Sequence, residues 1–330
     1  MNEFSNPNSD NAQPSPLENA HCNASNIDET PPQYMGSETS PFSVIVMCFG
    51  FFIVGNLVAG GIAIGASKLY GFDFTTLLAS LNEKSPLADR NFMRLTLFLN
   101  HLFGFIISAI LTALYVYKNR AIEYFKLTKL PDFTSAGLSF LLLAVSIPLV
   151  QYVYWVNKML PLPKWMLALE QDTSKTLEAV LTKEYWYEAV INVLLIGVVP
   201  AIGEELVFRG ILQQQLGRIF KNEHVMVWLS AAIFSGIHMQ FEGFLGRMIL
   251  GALLAYSFVW TRNLWVPMIV HLLNNGLQVI AIYAANIKPS EMDKIGGDEK
   301  MTWWMALISL ALVVSVAGLL KEKQKNRLSV

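Results

Sequence analysis

Residues 186–212 read WYEAVINVLLIGVVPAIGEELVFRGIL. The run is apolar enough and long enough to cross a bilayer, which takes about 20 residues. Yet it closes on Glu204, Glu205 and Arg209. An ionisable side chain inside a membrane helix costs about 2.5–3.5 kcal/mol on insertion scales, so it marks a functional site by default. Two further apolar runs carry the same signature, Phe234-Ser235-Gly236-Ile237-His238 and His271-Leu272-Leu273-Asn274-Asn275. Carboxylates, imidazoles and a carboxamide are the side chains that activate water.

The rest of the chain agrees with a membrane reading. Of 330 residues, 53% are hydrophobic and 15% charged, with a mean hydropathy of +0.41; soluble domains carry nearer a quarter charged residues. The expected fold class is all-α, a polytopic bundle of eight transmembrane helices at about 43–66, 95–117, 134–156, 186–212, 224–241, 244–260, 265–286 and 302–320. The fifth and sixth are separated only by a few residues around Glu242 and Gly243, as in a tight hairpin, and Pro200 with Gly203 is placed to kink the fourth. The net charge of −1 comes with no basic patch interleaved with aromatics, so no nucleic-acid partner is expected. Cys22 and Cys48 make no disulfide framework.

Residues 1–40 hold six acids and no Lys or Arg, a composition that reads as a disordered polar tail and not as a signal peptide. A membrane domain follows over 41–320, with its polar core at about 185–290, and then a basic tail over 321–330. Lys118, Arg120, Lys126 and Lys129 after the second span, and Lys321, Lys323, Lys325 and Arg327 at the end, place both termini in the cytoplasm by the positive-inside rule. The loops at 67–94, 157–185 and 287–301 then lie on the opposite face.

Helical spacing sorts the polar residues. Glu205 and Arg209 are four apart and share a face, where they can pair. Glu204 is turned by about 100° from Glu205, which leaves it for chemistry while Glu205 and Arg209 give support. Phe234 and His238 share a face, and so do His271 and Asn275. The amide can hold the imidazole's tautomer or donate to a developing oxyanion. Glu204 with His238 can serve as base, with His271 and Asn275 as anion holders. Equally, Glu204, His238 and His271 could hold zinc or another divalent metal with an open position. The sequence leaves both open, and no His-Glu-x-x-His or Gly-x-Ser-x-Gly signature is present. A shared water requires a pocket, expected to be conical and reached from the cytoplasmic side. Arg247, near a span end, is expected to reach the surface.

Glu-Glu-x-x-x-Arg, then Phe-x-x-x-His, then His-x-x-x-Asn, in that order on separate helices, resembles the CPBP family of intramembrane proteases, over about residues 185–290. That family includes Ras-converting-enzyme type CAAX prenyl proteases, ABI-type proteins and bacteriocin-immunity proteins. The resemblance implies an eight-helix bundle and endopeptidase activity on a membrane-associated peptide or protein, by a metallo- or glutamate-dependent route. Carried over by position, Glu204, His238, His271 and Asn275 match the catalytic four, with Glu205, Arg209 and Phe234 as supporting members. The bilayer of a bacterial cytoplasmic membrane is the expected setting. Two other readings compete: a non-catalytic binding or immunity scaffold of the same fold, and a proton-coupled transporter. The second lacks the internal repeat such folds commonly show.

Overall fold

A computed structural model describes residues 35–71, 73–287 and 302–328. Most of the expected N-terminal tail, with Cys22, and most of the 287–301 loop lie outside them. The described residues hold helices and no strand. The helices are α1 (Pro41–Leu69), α2 (Phe74–Ser80), α3 (Leu87–Tyr124), α4 (Phe133–Lys158), α5 (Lys164–Leu181), α6 (Trp186–Phe220), α7 (Glu223–Ile237), α8 (Phe244–Thr261), α9 (Trp265–Ala284) and α10 (Trp303–Leu328).

Seven of these, α1, α3, α4, α6, α8, α9 and α10, are long and apolar enough to cross a membrane. The chain is an integral membrane protein. The expected eighth span, the fifth in order, is α7. It is apolar but has only 15 residues, or about 22 Å at 1.5 Å per residue, against about 30 Å of hydrocarbon. Its shortness follows from its ends. Asn222 caps the start by accepting from the backbone N–H groups of His224 and Val225, and Met239 turns left-handed at φ 53° just after the last turn. A loop at 238–243 then returns the chain into α8, which packs antiparallel on α7 as a hairpin.

Two other departures have compositional causes. The second span begins at Leu87 rather than near 95, because Arg90 and Arg94 lower its apparent hydropathy. Both arginines are buried. Arg94 donates to Asn192, Glu188 and the carbonyls of Val180 and Thr182, while Arg90 pairs with Glu184 at 2.8 Å. Ion pairing and hydrogen bonds to the guanidinium groups are what make such burial tolerable. At the other end of the chain, α10 continues to Leu328, through the segment expected as a tail, where Lys323 donates to Asp132.

The helix that carries the two glutamates is irregular on both sides of them. α6 widens to a π-helix over Val193–Val198 and Phe208–Leu212, and is regular over Val199–Val207. Pro200 has no N–H, so the carbonyl of Ile196 loses its ordinary partner four residues on. The amide of Asn275 donates to that carbonyl at 3.3 Å. Close approach makes this possible, since a Cβ on Gly197 would lie 3.2 Å from Gly276 Cα.

Small residues likewise seat α7 and α8 together. A Cβ on Gly251 would meet Phe234 at 3.0 Å and Ala231 at 3.4 Å. With little side chain in the way, the carbonyls of Gly251 and Ala255 accept from Arg209 and Gln213 of α6 at 2.8 and 3.0 Å. The donors are four residues apart, and so are the acceptors. Two helices are therefore stitched in register.

Candidate active site

Glu204 is buried and sits among three imidazoles. His238 Nε2 is 4.0 Å and His271 Nε2 3.9 Å from Glu204 Oε2. His101 Nε2 is 3.5 Å from Oε1. Antiparallel threading of equal spans would put His238 far from His271. The short α7 resolves the mismatch, because it stops about a turn or two before a full crossing and leaves His238 at its C-terminal cap. The loop that follows is tied down. Asn157 donates to Phe241 O and accepts from Leu245 N, Ser235 donates to Phe244 O, and Glu242 N donates to Glu170.

Each ring is oriented by its Nδ1. In His238 it meets Phe234 O at 2.8 Å, in His101 Leu97 O at 3.1 Å, and in His271 Glu205 Oε1 at 2.8 Å. An acceptor at Nδ1 makes that atom the donor and turns Nε2 toward the other side of the ring. All three Nε2 atoms face Glu204. The tautomer of His271 is thus set by Glu205 and not by Asn275, whose Nδ2 goes to Ile196 and whose Oδ1 accepts from Asn274 at 2.9 Å.

Glu205 and Arg209 form the expected pair, and both are fully buried. One carboxylate oxygen, Oε1, receives both Arg209 Nη1 and His271 Nδ1. The guanidinium also lies 4.8 Å over the ring of Phe234. That ring in turn meets His238 edge-on at 4.9 Å, His271 at 6.2 Å and Phe208 at 5.0 Å. Phe234 is therefore the hub that fixes the spacing of Arg209 and two imidazoles.

These side chains open on a cavity of about 420 Å³. Glu204, Phe234, His238, His271 and Asn275 line it, together with Arg247. Arg247 is half-buried and lies against the 238–243 loop at the bundle end. Its guanidinium turns to the cavity and donates to the carbonyl and side-chain oxygens of Gln240. Gln151, Tyr154, Asn274 and Gln278 add further polar lining.

The cavity runs from Leu143, Leu254 and His271 toward Tyr154, Gly243 and Gln278, the bundle end that bears the 238–243 loop. The basic Lys118–Lys129 connection and the C-terminal lysines lie at the other end, where Lys323 meets Asp132 and Lys321 meets Glu223. A mouth on the cytoplasmic side and cytoplasmic termini, both expected from sequence, exclude one another in this fold.

His101 is the site residue that sequence reading missed, placed there near a span end. With α3 starting at Leu87 it lies well inside the helix. The signal was available: Phe92, Met93, Thr96 and Leu99, with Arg90 and Arg94 among them, make up the buried side of this helix, continuous with the apolar run.

Tetrahedral zinc with bonds of about 2.0–2.1 Å sets its donor atoms about 3.3 Å apart. Here the two motif imidazoles stand 3.9 and 4.0 Å from the carboxylate. Among the described residues no group of three or more His, Cys, Asp or Glu side chains has the geometry to hold a metal ion. The residues as arranged do not fit one.

Comparison with known proteins falls on this same stretch. Residues 186–277 match the family model for type II CAAX prenyl endopeptidases, Rce1-like. The chain is 28% identical over 95 residues to the membrane-embedded CAAX protease MroQ of Staphylococcus aureus, covering 27% of this chain and 38% of MroQ. It is 25% identical over 115 residues to the uncharacterized protein YpbD of Bacillus subtilis, covering 34% of this chain and 53% of YpbD. The matched stretches thus span between about a third and about half of those relatives. No solved structure matches.

Proposed function

We propose that this chain, which carries the Rce1-like core of the CPBP family, is a membrane-embedded endopeptidase that hydrolyses a peptide bond in a membrane-associated peptide or protein. The observation that carries the reading is the convergence of three imidazole Nε2 atoms on one buried carboxylate at the edge of a polar cavity.

The gaps of 3.9 and 4.0 Å between Glu204 Oε2 and the imidazoles of His271 and His238 are too long for direct hydrogen bonds and suit one bridging water. In the proposed reaction Glu204, aided by His238, takes a proton from that water as oxygen attacks the substrate carbonyl. The oxyanion forms beside His271 and Asn275. His271 donates from Nε2, and Glu205 at its Nδ1 balances the charge of the doubly protonated ring, the logic by which a buried carboxylate supports an imidazolium elsewhere. Asn275 donates with the amide hydrogen not spent on Ile196. Collapse of the intermediate breaks the C–N bond, and Glu204 returns its proton to the leaving amine.

The polar lining suits an extended peptide backbone, whose amides need partners away from water. We place the chain in a bacterial cytoplasmic membrane with the basic bundle end inside, so the cavity mouth lies on the far face. The reading is tested with purified protein in lipid nanodiscs and a library of membrane-associated peptides, scored by mass spectrometry. Wild type generates new termini and His238→Ala does not, and a chelator leaves the rate unchanged. Full biological activity in an uncleaving Glu204→Ala variant would instead favour the scaffold reading.

A further inference from the structure

The third imidazole at Glu204 lies outside the matched stretch and outside the cavity lining. His101 sits where α3 widens into a π-helix over Asn100–Ile107, a deformation that recurs at functional sites. Its Nδ1 is held by Leu97 O, and its ring stacks on Phe105 at 5.3 Å with an interplanar angle of 20°. The widened segment lies tight against α6 immediately before the glutamates. A Cβ on Gly203 would be 2.9 Å from Phe105 Cβ and 3.1 Å from Ile106. The ring is thereby held at Nδ1 and against one face, on a segment packed tightly on α6.

The contacts divide the carboxylate. His101 takes Oε1 at 3.5 Å, the shortest of the three imidazole approaches, while His238 and His271 approach only Oε2. A glutamate has three side-chain torsions and two equivalent oxygens, so a base that must present one oxygen to one water needs its other oxygen held. We propose that His101 is the positioning residue for Glu204: as an imidazolium it donates from Nδ1 to Leu97 O and from Nε2 to Oε1, holding that oxygen from behind and so aiming Oε2 into the cavity between His238 and His271. The proposal rests on the reading of Glu204 as the base. His101 touches no substrate, so its effect falls on turnover and not on binding.

The test compares His101→Ala, His101→Asn and His101→Gln with wild type and Glu204→Gln in nanodisc peptide cleavage. A glutamine amide nitrogen takes the place of Nε2 and can donate to Glu204. An asparagine amide nitrogen takes the place of Nδ1 and can reach only Leu97. Ala and Asn are expected to lose about 10- to 100-fold in kcat, the scale of one hydrogen bond to a charged group, with KM within about twofold. Gln is expected to recover most of the loss. Wild-type turnover in His101→Asn, equal losses in Asn and Gln, or a loss confined to KM would overturn the proposal, with Glu204→Gln still inactive. Wild-type cleavage by Glu204→Gln would overturn the reading of Glu204 itself, and the His101 proposal with it.

Discussion

The buried pair behind the site permits a quantitative test. Arg209 has 0% of its surface exposed, and so has Glu205. Glu205 Oε1 takes hydrogen bonds from Arg209 and His271, while Oε2 has no partner among the described residues. Removing one member of such a pair leaves the other charged and dry, which costs about 3–5 kcal/mol. Arg209→Met also loses the contact with Phe234, about 1–2 kcal/mol for a desolvated cation over a ring, and partly refills the volume. We expect a destabilisation of about 4–7 kcal/mol from these two effects. Glu205→Gln keeps an acceptor oxygen in place but strands the guanidinium, which puts it at the lower end, about 3 kcal/mol. The double variant strands neither charge. It should be more stable than the sum of the single losses by about 2–3 kcal/mol, the coupling of directly contacting residues. Reversible denaturation in bicelles, followed by tryptophan fluorescence, reads all four corners of the cycle. Single losses below about 1 kcal/mol, or additivity within about 0.5 kcal/mol, would refute the view that these charges form one buried unit.

Three further outcomes follow from other parts of the fold. Asp132 caps α4 through Ser135 and accepts from Lys323; partial burial pushes its carboxyl up, but those hydrogen bonds outweigh it and hold the group below the ordinary carboxylate range. Its contribution is therefore present above about pH 4, the unfolded carboxylate value, and is lost as pH falls further. Asp132→Asn keeps the cap, since Asn and Asp cap alike, and loses the solvent-screened pair; it should cost up to about 1 kcal/mol at pH 7 and should flatten the acid side of the stability profile; an unchanged profile would contradict this. In Gly55→Ala the new methyl would fall 2.1 Å from Phe103 O, a backbone atom with no rotamer to give, so α1 must shift. The expected loss is about 3 kcal/mol, and wild-type stability would refute the packing. In a cysteine-free background, a membrane-impermeant maleimide applied to intact cells should label Gln278→Cys at the cavity mouth and not Lys129→Cys; the reverse pattern would invert the proposed orientation.

What could be read from the chain beforehand depended on locality. The spans expected at 43–66 and 134–156 were legible, within two or three residues of α1 and α4, because an unbroken apolar run has one economical placement. The pairing of Glu205 with Arg209 was legible too, since i and i+4 meet on any helix. Contacts between helices were not. The hold of Glu205 on His271 crosses 66 positions of sequence, and the donation of Asn275 to Ile196 depends on a carbonyl released by Pro200 and on glycines that let α6 and α9 touch. The start of α3 was hidden because Arg90 and Arg94 look like loop residues until Glu184, Glu188 and Asn192 are seen beside them. That concealment displaced His101 from the helix middle to its apparent edge. The depth of His238 hinged on a helix stopping after 15 residues, a length that the tertiary ties of the 238–243 loop enforce and hydropathy does not.

Neighbouring glutamates with opposite duties offer the sharpest trial. Single-turnover cleavage of one peptide substrate should be followed for Glu204→Gln and Glu205→Gln, alongside the stability of each. The account expects Glu204→Gln to retain wild-type stability and lose about 100- to 10,000-fold in rate, as removal of a general base does. Glu205→Gln should lose stability first and keep measurable turnover. A Glu204→Gln protein that cleaves at the wild-type rate, or a swap of the two phenotypes, would contradict it.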